Sequence, residues 1–129
     1  MSEAQKKLGI RENQRLLVIN PPSNYLNITG NLPRDVSLNS FDDQGMDMVH
    51  AFFYWKKELE HLLPLLKYKI KKTGSVWISW PLNASRNDSD MTEKIVEKVG
   101  TDNGLHVARS VSFSSQWGAI KFVWHEQEA

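Results

Sequence analysis

The chain has 129 residues, with 16 Lys and Arg against 15 Asp and Glu. This balance lacks the basic excess of nucleic-acid-binding proteins, so no nucleic-acid partner is expected. There is no cysteine, which excludes disulfides, thiolate nucleophiles and Cys-ligated zinc and suits the reducing cytoplasm. No apolar run approaches the roughly 20 residues that cross a bilayer. We therefore expect a cytoplasmic protein without membrane contact, forming one domain over 1–129.

The first firm element is a strand from Leu16 to Asn20. Its apolar residues are consecutive, which is typical of a central parallel strand buried on both faces. Residues 1–13 are polar and predict a loose N-terminal segment, with Leu8 and Ile10 as its candidate contacts with the rest of the domain. Pro21-Pro22 should end the strand, because proline cannot donate to a sheet ladder. A short helix is predicted to follow over 24–31.

Two more strands are predicted, a short one over 36–38 and a longer one over 48–53. A helix should follow from Trp55 to about Lys69, since apolar residues recur there at helical spacing. Pro64 conflicts with one continuous helix, because an interior proline costs about 3 kcal/mol. We therefore expect two shorter pieces, the second beginning near this proline.

Thr73-Gly74 predicts a turn into another strand over 75–80. Asp90 and Glu93 have the spacing of a capping box. In such a box the Asp90 carboxylate would accept the backbone N–H of Glu93, and Glu93 would reach back. The helix opened there should end at Asn103-Gly104, because both residues tolerate positive φ.

The chain closes with strands predicted over 105–113 and 119–124, joined as an antiparallel hairpin. The alternation of strands and helices predicts an α/β fold, a Rossmann-like three-layer sandwich whose mostly parallel sheet ends in that hairpin. Ligands of such sheets bind beyond the carboxyl ends of the strands. The expected binding residues are aromatic and polar side chains near those ends: Asn20, Tyr25, His50, Phe53, Trp80 and Trp117.

Catalytic chemistry has little support in the sequence. His50 is the one histidine worth testing as an acid, base or ligand, and a satisfied core histidine is the alternative. No serine has the Gly-x-Ser-x-Gly setting of a nucleophile, and no histidine pair has metal-ligand spacing. Asp42, Asp43 and Asp47 indicate either a cation site or a solvated turn. We therefore predict neither a catalytic residue nor a metal.

The second half of the chain resembles the class I S-adenosylmethionine (SAM) methyltransferases. The similar segments are 47–52, the leucine-rich helix after it, the turn and strand over 72–79, and the antiparallel closing hairpin. The resemblance implies a methyltransferase-like fold. The first turn departs from it, because Asn20-Pro21-Pro22 replaces a glycine-rich loop and its two prolines remove two amide donors.

A more extended resemblance links the chain to a family of short bacterial proteins of unknown function, over roughly 8–124. Its motifs are the segments 16–25, 47–50, 76–81, 90–93 and 117–123, of which Trp-Ile-Ser-Trp-Pro is the most specific. Family members often have Lys where this chain has Leu82. They often have acidic and Thr residues where it has Ser115 and Gln116.

The preferred hypothesis is a non-catalytic Rossmann-like domain that binds a small molecule or a protein partner at the strand carboxyl ends. No cofactor is predicted under this hypothesis. A minimal SAM-dependent methyltransferase is one alternative, in which SAM would be the cofactor. A homodimeric scaffold that pairs through the terminal hairpin is the other.

Overall fold

The computed structural model describes residues 3–25, 29–30, 32–39, 42–83 and 88–124. It contains a six-stranded sheet in the order β2-β1-β3-β4-β6-β5. The strands are β1 (Arg15–Ile19), β2 (Ser37–Leu38), β3 (Met46–Phe52), β4 (Ile70–Pro81), β5 (Leu105–Ser112) and β6 (Trp117–Trp124). The α-helices with both ends among the described residues are α1 (Glu3–Leu8), α2 (Lys56–Leu66) and α3 (Glu93–Asp102).

The sheet is parallel from β2 to β4 and antiparallel at its far end. The predicted mixed sheet and its terminal hairpin are therefore confirmed. Strand β3 is buried at six of its seven positions, as expected of a central strand covered on both faces. The predicted helix over 24–31 lies partly outside the described residues.

Two apolar clusters lie on opposite faces of the sheet. The first joins α2 and α3 to the sheet through Leu59, Leu63, Val96 and Val99, among others. The second lies on the other face, where Leu8 and Ile10 pack against the sheet. Both of these residues are 1% exposed. The expected contact of Leu8 and Ile10 with the domain is therefore confirmed. The described residues 3–13 are nevertheless not loose, because Glu3–Leu8 form α1.

The expected break at Pro64 was also wrong. Helix α2 runs through this proline to Leu66. Pro64 lies in the last turn, so its missing N–H removes a single bond close to the helix end.

The predicted turn at Thr73-Gly74 is instead part of β4, beside a register irregularity against β3. A Cβ on Gly74 would lie 2.8 Å from the carbonyl oxygen of Met46. Glycine is needed there because the two backbones approach closely.

The predicted capping box was wrong as well. The N-cap of α3 is Thr92, whose hydroxyl accepts the backbone N–H of Ile95. Asp90 accepts the backbone N–H of Lys56 at 2.7 Å, so it caps the start of α2. Glu93 accepts the hydroxyl hydrogen of Ser110 at 2.6 Å.

Candidate functional site: a cleft at the carboxyl ends of the strands

An apolar cleft of about 420 Å³ lies at the carboxyl ends of β1 and β2. This is where sheets of this kind bind their ligands, and the volume falls within the range of small-molecule sites. The lining residues are Val18, Pro21, Pro22, Ser23, Tyr25, Leu32 and Leu38.

The sequence indicated this region through Pro21-Pro22 and Tyr25, but it missed Leu32 and Leu38. Leu38 is 63% exposed although it ends a strand. An exposed leucine next to a turn was the available signal, yet single exposed apolar residues are too common to be diagnostic. Only the folded sheet shows that Leu38 faces the turn after β1.

Tyr25 connects the cleft to a buried polar chain. Its hydroxyl lies 3.0 Å from Nδ1 of His50, and Nε2 of His50 lies 2.7 Å from the Ser79 hydroxyl. A neutral imidazole has one donor and one acceptor, so one of the two hydroxyls donates to the ring and the other accepts from it. These two hydrogen bonds therefore fix Tyr25 against β3 and β4.

Burial determines the protonation states of Tyr25 and His50. His50 is fully buried, and burial lowers its pKa to about 3 because the charged ring would lose its solvation. Burial raises the pKa of Tyr25 above its usual value for the corresponding reason. Both groups are neutral near pH 7, and His50 has no direct access to the cleft.

Asn20 occupies the turn between β1 and the two prolines. Its φ is 54°, a left-handed conformation that asparagine adopts more readily than most residues. Its side-chain amide donates to the backbone carbonyl of Phe52 at 3.2 Å. Asn20 thus ties the first turn to the end of the neighbouring strand.

The remaining predicted site residues do not surround one pocket. Phe53 and Trp80 belong to the cluster beneath α2 and α3. Trp117 and Tyr25 belong to the cluster on the opposite face. The pocket that these four aromatics were expected to share is therefore divided by the sheet. Trp80 and Trp117 are 5% and 6% exposed and pack in the core.

The other titratable candidates lie elsewhere. Asp47 accepts the backbone N–H of Arg15 at 2.8 Å and a hydrogen bond from the Lys71 ammonium at 3.0 Å. It lies at the start of β3, away from the cleft. In the described part of the chain, no group of three or more His, Asp or Glu residues could hold a metal ion. None of the helices described there is long and apolar enough to span a membrane.

No protein-family model matches the chain, and no curated protein is significantly similar to it in sequence. Solved structures are similar in fold. Magnesium protoporphyrin IX methyltransferase from Synechocystis PCC 6803, solved with bound S-adenosylhomocysteine (SAH), is 11% identical with a TM-score of 0.59, over 88% of this chain and 75% of that one.

Two further methyltransferases have the same fold. Ribosomal protein L11 methylase from Lactobacillus delbrueckii subsp. bulgaricus is 13% identical with a TM-score of 0.62, over 95% of this chain and 78% of that one. A SAM-dependent methyltransferase from Aquifex aeolicus is 16% identical with a TM-score of 0.61, over 93% of this chain and 87% of that one. The fold is thus the Rossmann-like fold of these enzymes.

These similarities overturn two expectations from the sequence. The preferred hypothesis of a non-catalytic domain was wrong, since the similar structures are methyltransferases and favour the alternative. The expectation that no cofactor is involved was also wrong, because the Synechocystis enzyme was solved with both SAH and SAM.

The residues of the cleft fit part of such a cofactor. Pro22, Tyr25 and Leu38 offer apolar surfaces against which a flat purine ring can pack. Pro21 and Pro22 have no N–H, so these two positions cannot cradle polar groups through backbone amides. The fit is therefore to the adenine ring.

Proposed function

We propose that this chain binds SAM in the cleft beside Pro21-Pro22 and acts as a methyltransferase. The observation that supports this most directly is the apolar cleft of about 420 Å³ at the carboxyl ends of β1 and β2. It lies where sheets of this topology bind ligands.

In this proposal the adenine ring packs against Tyr25, Pro22 and Leu38. Tyr25 would present a fixed surface, because its hydroxyl is held by His50. Asn20 would hold the turn against β3 through its bond to Phe52. Phe53, Trp80 and Trp117 would act indirectly, since they pack where the strands end.

SAM would supply a methyl group on a sulfonium, whose C–S bond breaks as the acceptor atom bonds to the methyl carbon, with SAH as the leaving group. This chain's contribution to such a transfer is to hold the reactants in line and to exclude water. The described residues that line the cleft include no carboxylate, histidine or lysine. His50 is too weak a base to accept a proton near pH 7. The acceptor atom should therefore be one that needs no protein base, or one that loses its proton to solvent.

Calorimetric titration with SAM and with SAH tests the proposal. We expect saturable binding at one site, weakened at least about tenfold by Leu38→Glu, because a carboxylate in the cleft would need to be desolvated by the ligand. Leu65→Glu is the matched control, since Leu65 is 53% exposed on α2, outside the residues that line the cleft. Absence of binding at millimolar ligand would contradict the proposal.

Other features of the sequence interpretation stay predictions. These are a single domain over 1–129, a cytoplasmic location, membership of a bacterial family and the absence of nucleic-acid and membrane partners. A protein partner and a homodimer also stay predictions. Light scattering of the purified chain at high concentration would test the homodimer.

A further inference from the structure

A second, polar pocket lies at the other end of the parallel strands from the cleft. Its volume is about 210 Å³. It lies at the amino ends of β3 and β4 and the carboxyl end of β6, beside the end of α1. The lining residues are Leu8, Gly9, Arg11, Gln14, Asp47, Met48, Thr73, Ser75, Lys121 and Val123.

The positive charges of this pocket have no acidic partner among the described residues. Arg11 and Lys121 both line it, and neither forms a salt bridge within those residues. Lys121 is directly opposite Arg109 in the antiparallel pair of β5 and β6. Like charges at directly opposite positions destabilise a sheet, and a bound anion would offset that repulsion.

The one carboxylate among the residues that line the pocket is already paired with a cation from outside the pocket lining. Asp47 accepts hydrogen bonds from the Lys71 ammonium and from the backbone N–H of Arg15. Burial alone would raise the pKa of Asp47. The two hydrogen bonds and the positive charges of Lys71 and Arg15 outweigh burial and lower this pKa. Asp47 is thus held as an ion by its own partners and leaves Arg11 and Lys121 available.

Neutral donors complete the lining. Ser75 is 8% exposed, and its hydroxyl has no hydrogen-bond partner among the described residues. The Thr73 hydroxyl and the Gln14 side-chain amide also line the pocket. The side-chain oxygen Oε1 of Gln14 accepts the backbone N–H of Arg11 at 2.9 Å. The side-chain NH₂ group of Gln14 is therefore left to donate. Guanidinium, ammonium and hydroxyl donors around one cavity are the groups that bind a phosphate.

We propose that this pocket is a binding site for a small phosphate dianion, either inorganic phosphate or the phosphate of a small monoester. Arg11 and Lys121 supply the charge, and Ser75 and Thr73 donate neutral hydrogen bonds. The site is separate from the proposed SAM cleft, since the two sets of lining residues share no member.

Titration calorimetry at constant ionic strength tests this site, with sodium phosphate and glycerol 3-phosphate as separate probes and chloride as the balancing salt. We expect one saturable site that Arg11→Gln and Lys121→Gln each weaken at least tenfold. Ser75→Ala should weaken it about threefold. Lys94→Gln is the matched control, because Lys94 is exposed on α3, which packs on the other face of the sheet.

Tighter binding of glycerol 3-phosphate than of phosphate would identify a monoester as the ligand, and the reverse would identify the free ion. Non-saturable heats, or equal weakening by Lys94→Gln, would overturn the site. Arg11→Gln should leave SAM binding unchanged, so failure of the phosphate site and failure of the methyltransferase proposal are distinguishable.

Discussion

The Tyr25 hydroxyl and Nδ1 of His50 lie 3.0 Å apart in the buried interior, and this pair joins the wall of the cleft to the centre of the sheet. Removing the hydroxyl with Tyr25→Phe leaves one ring nitrogen of a fully buried histidine without its partner. We expect the free energy of unfolding to fall by about 1–3 kcal/mol, the usual cost of an unsatisfied buried group. Urea denaturation measures this change.

Tyr68→Phe is the control for that variant, because Tyr68 is 66% exposed. Its stability should stay within about 0.5 kcal/mol of the parent. Equal stability losses for the two variants would contradict the proposed role of the Tyr25–His50 pair.

The stability of the protein should depend on pH through His50. Its pKa is about 3 in the folded chain against 6.5 for the unperturbed group, so the unfolded chain binds more protons between those values. The contribution of neutral His50 to the free energy of unfolding is therefore fully present above pH 6.5 and is lost as the pH falls towards 3. Relative to His50→Gln, the parent should lose up to about 1.4 kcal/mol per pH unit below pH 6.

Denaturant titrations between pH 4 and pH 7 measure that difference. If His50→Gln and the parent lose stability in parallel, His50 is not held neutral in the fold.

Gly100 should tolerate no side chain, because a Cβ there would overlap the ring of Phe122. Alanine favours helices by up to about 1 kcal/mol over glycine, yet we expect Gly100→Ala to destabilise the protein by about 1–3 kcal/mol through overpacking. Thermal and urea unfolding measure the effect. Glu97→Ala, at an exposed position of the same helix, should change stability by less than about 0.5 kcal/mol. A Gly100→Ala protein more stable than the parent would contradict this packing.

The Asp90 carboxylate should stabilise α2 through its bond to the Lys56 amide. Asp90→Ala removes the acceptor and should cost about 0.5–2 kcal/mol. Asp90→Asn retains an acceptor oxygen and should recover most of that loss. Amide hydrogen exchange at Lys56 reports on the bond directly, and unchanged protection in Asp90→Ala would rule it out.

Asp90 also shows why some features were accessible from the sequence and others were not. The consecutive apolar residues of β1 and the periodic leucines of α2 are local patterns, and both elements were predicted. The acceptor that caps α2 lies 34 residues further along the chain, and no local pattern connects the two residues. Asp90 matched a capping box with Glu93, but Thr92 is the residue that caps α3.

The candidate site was likewise predictable only as far as local sequence patterns reach. Its position was predicted from the parallel sheet, because the carboxyl ends of the strands meet at one edge. Which aromatics face the cleft depends on the side of the sheet to which each residue points. Trp80 and Phe53 pack beneath α2 and α3, whereas Tyr25 lies on the opposite face. The missed Leu38 lies in β2, two strands away from β3, the strand whose His50 holds Tyr25, so only tertiary structure relates Leu38 to Tyr25.

A backbone amide NMR titration of the parent chain with SAH tests directly whether the cleft binds the cofactor. We expect saturable shifts concentrated at residues that line the cleft, namely Val18, Ser23, Tyr25, Leu32 and Leu38. Amides of the polar pocket at the other end of the parallel strands should not move. No shifts at millimolar SAH, or shifts centred away from the cleft, would contradict the proposal that this chain binds the methyltransferase cofactor there.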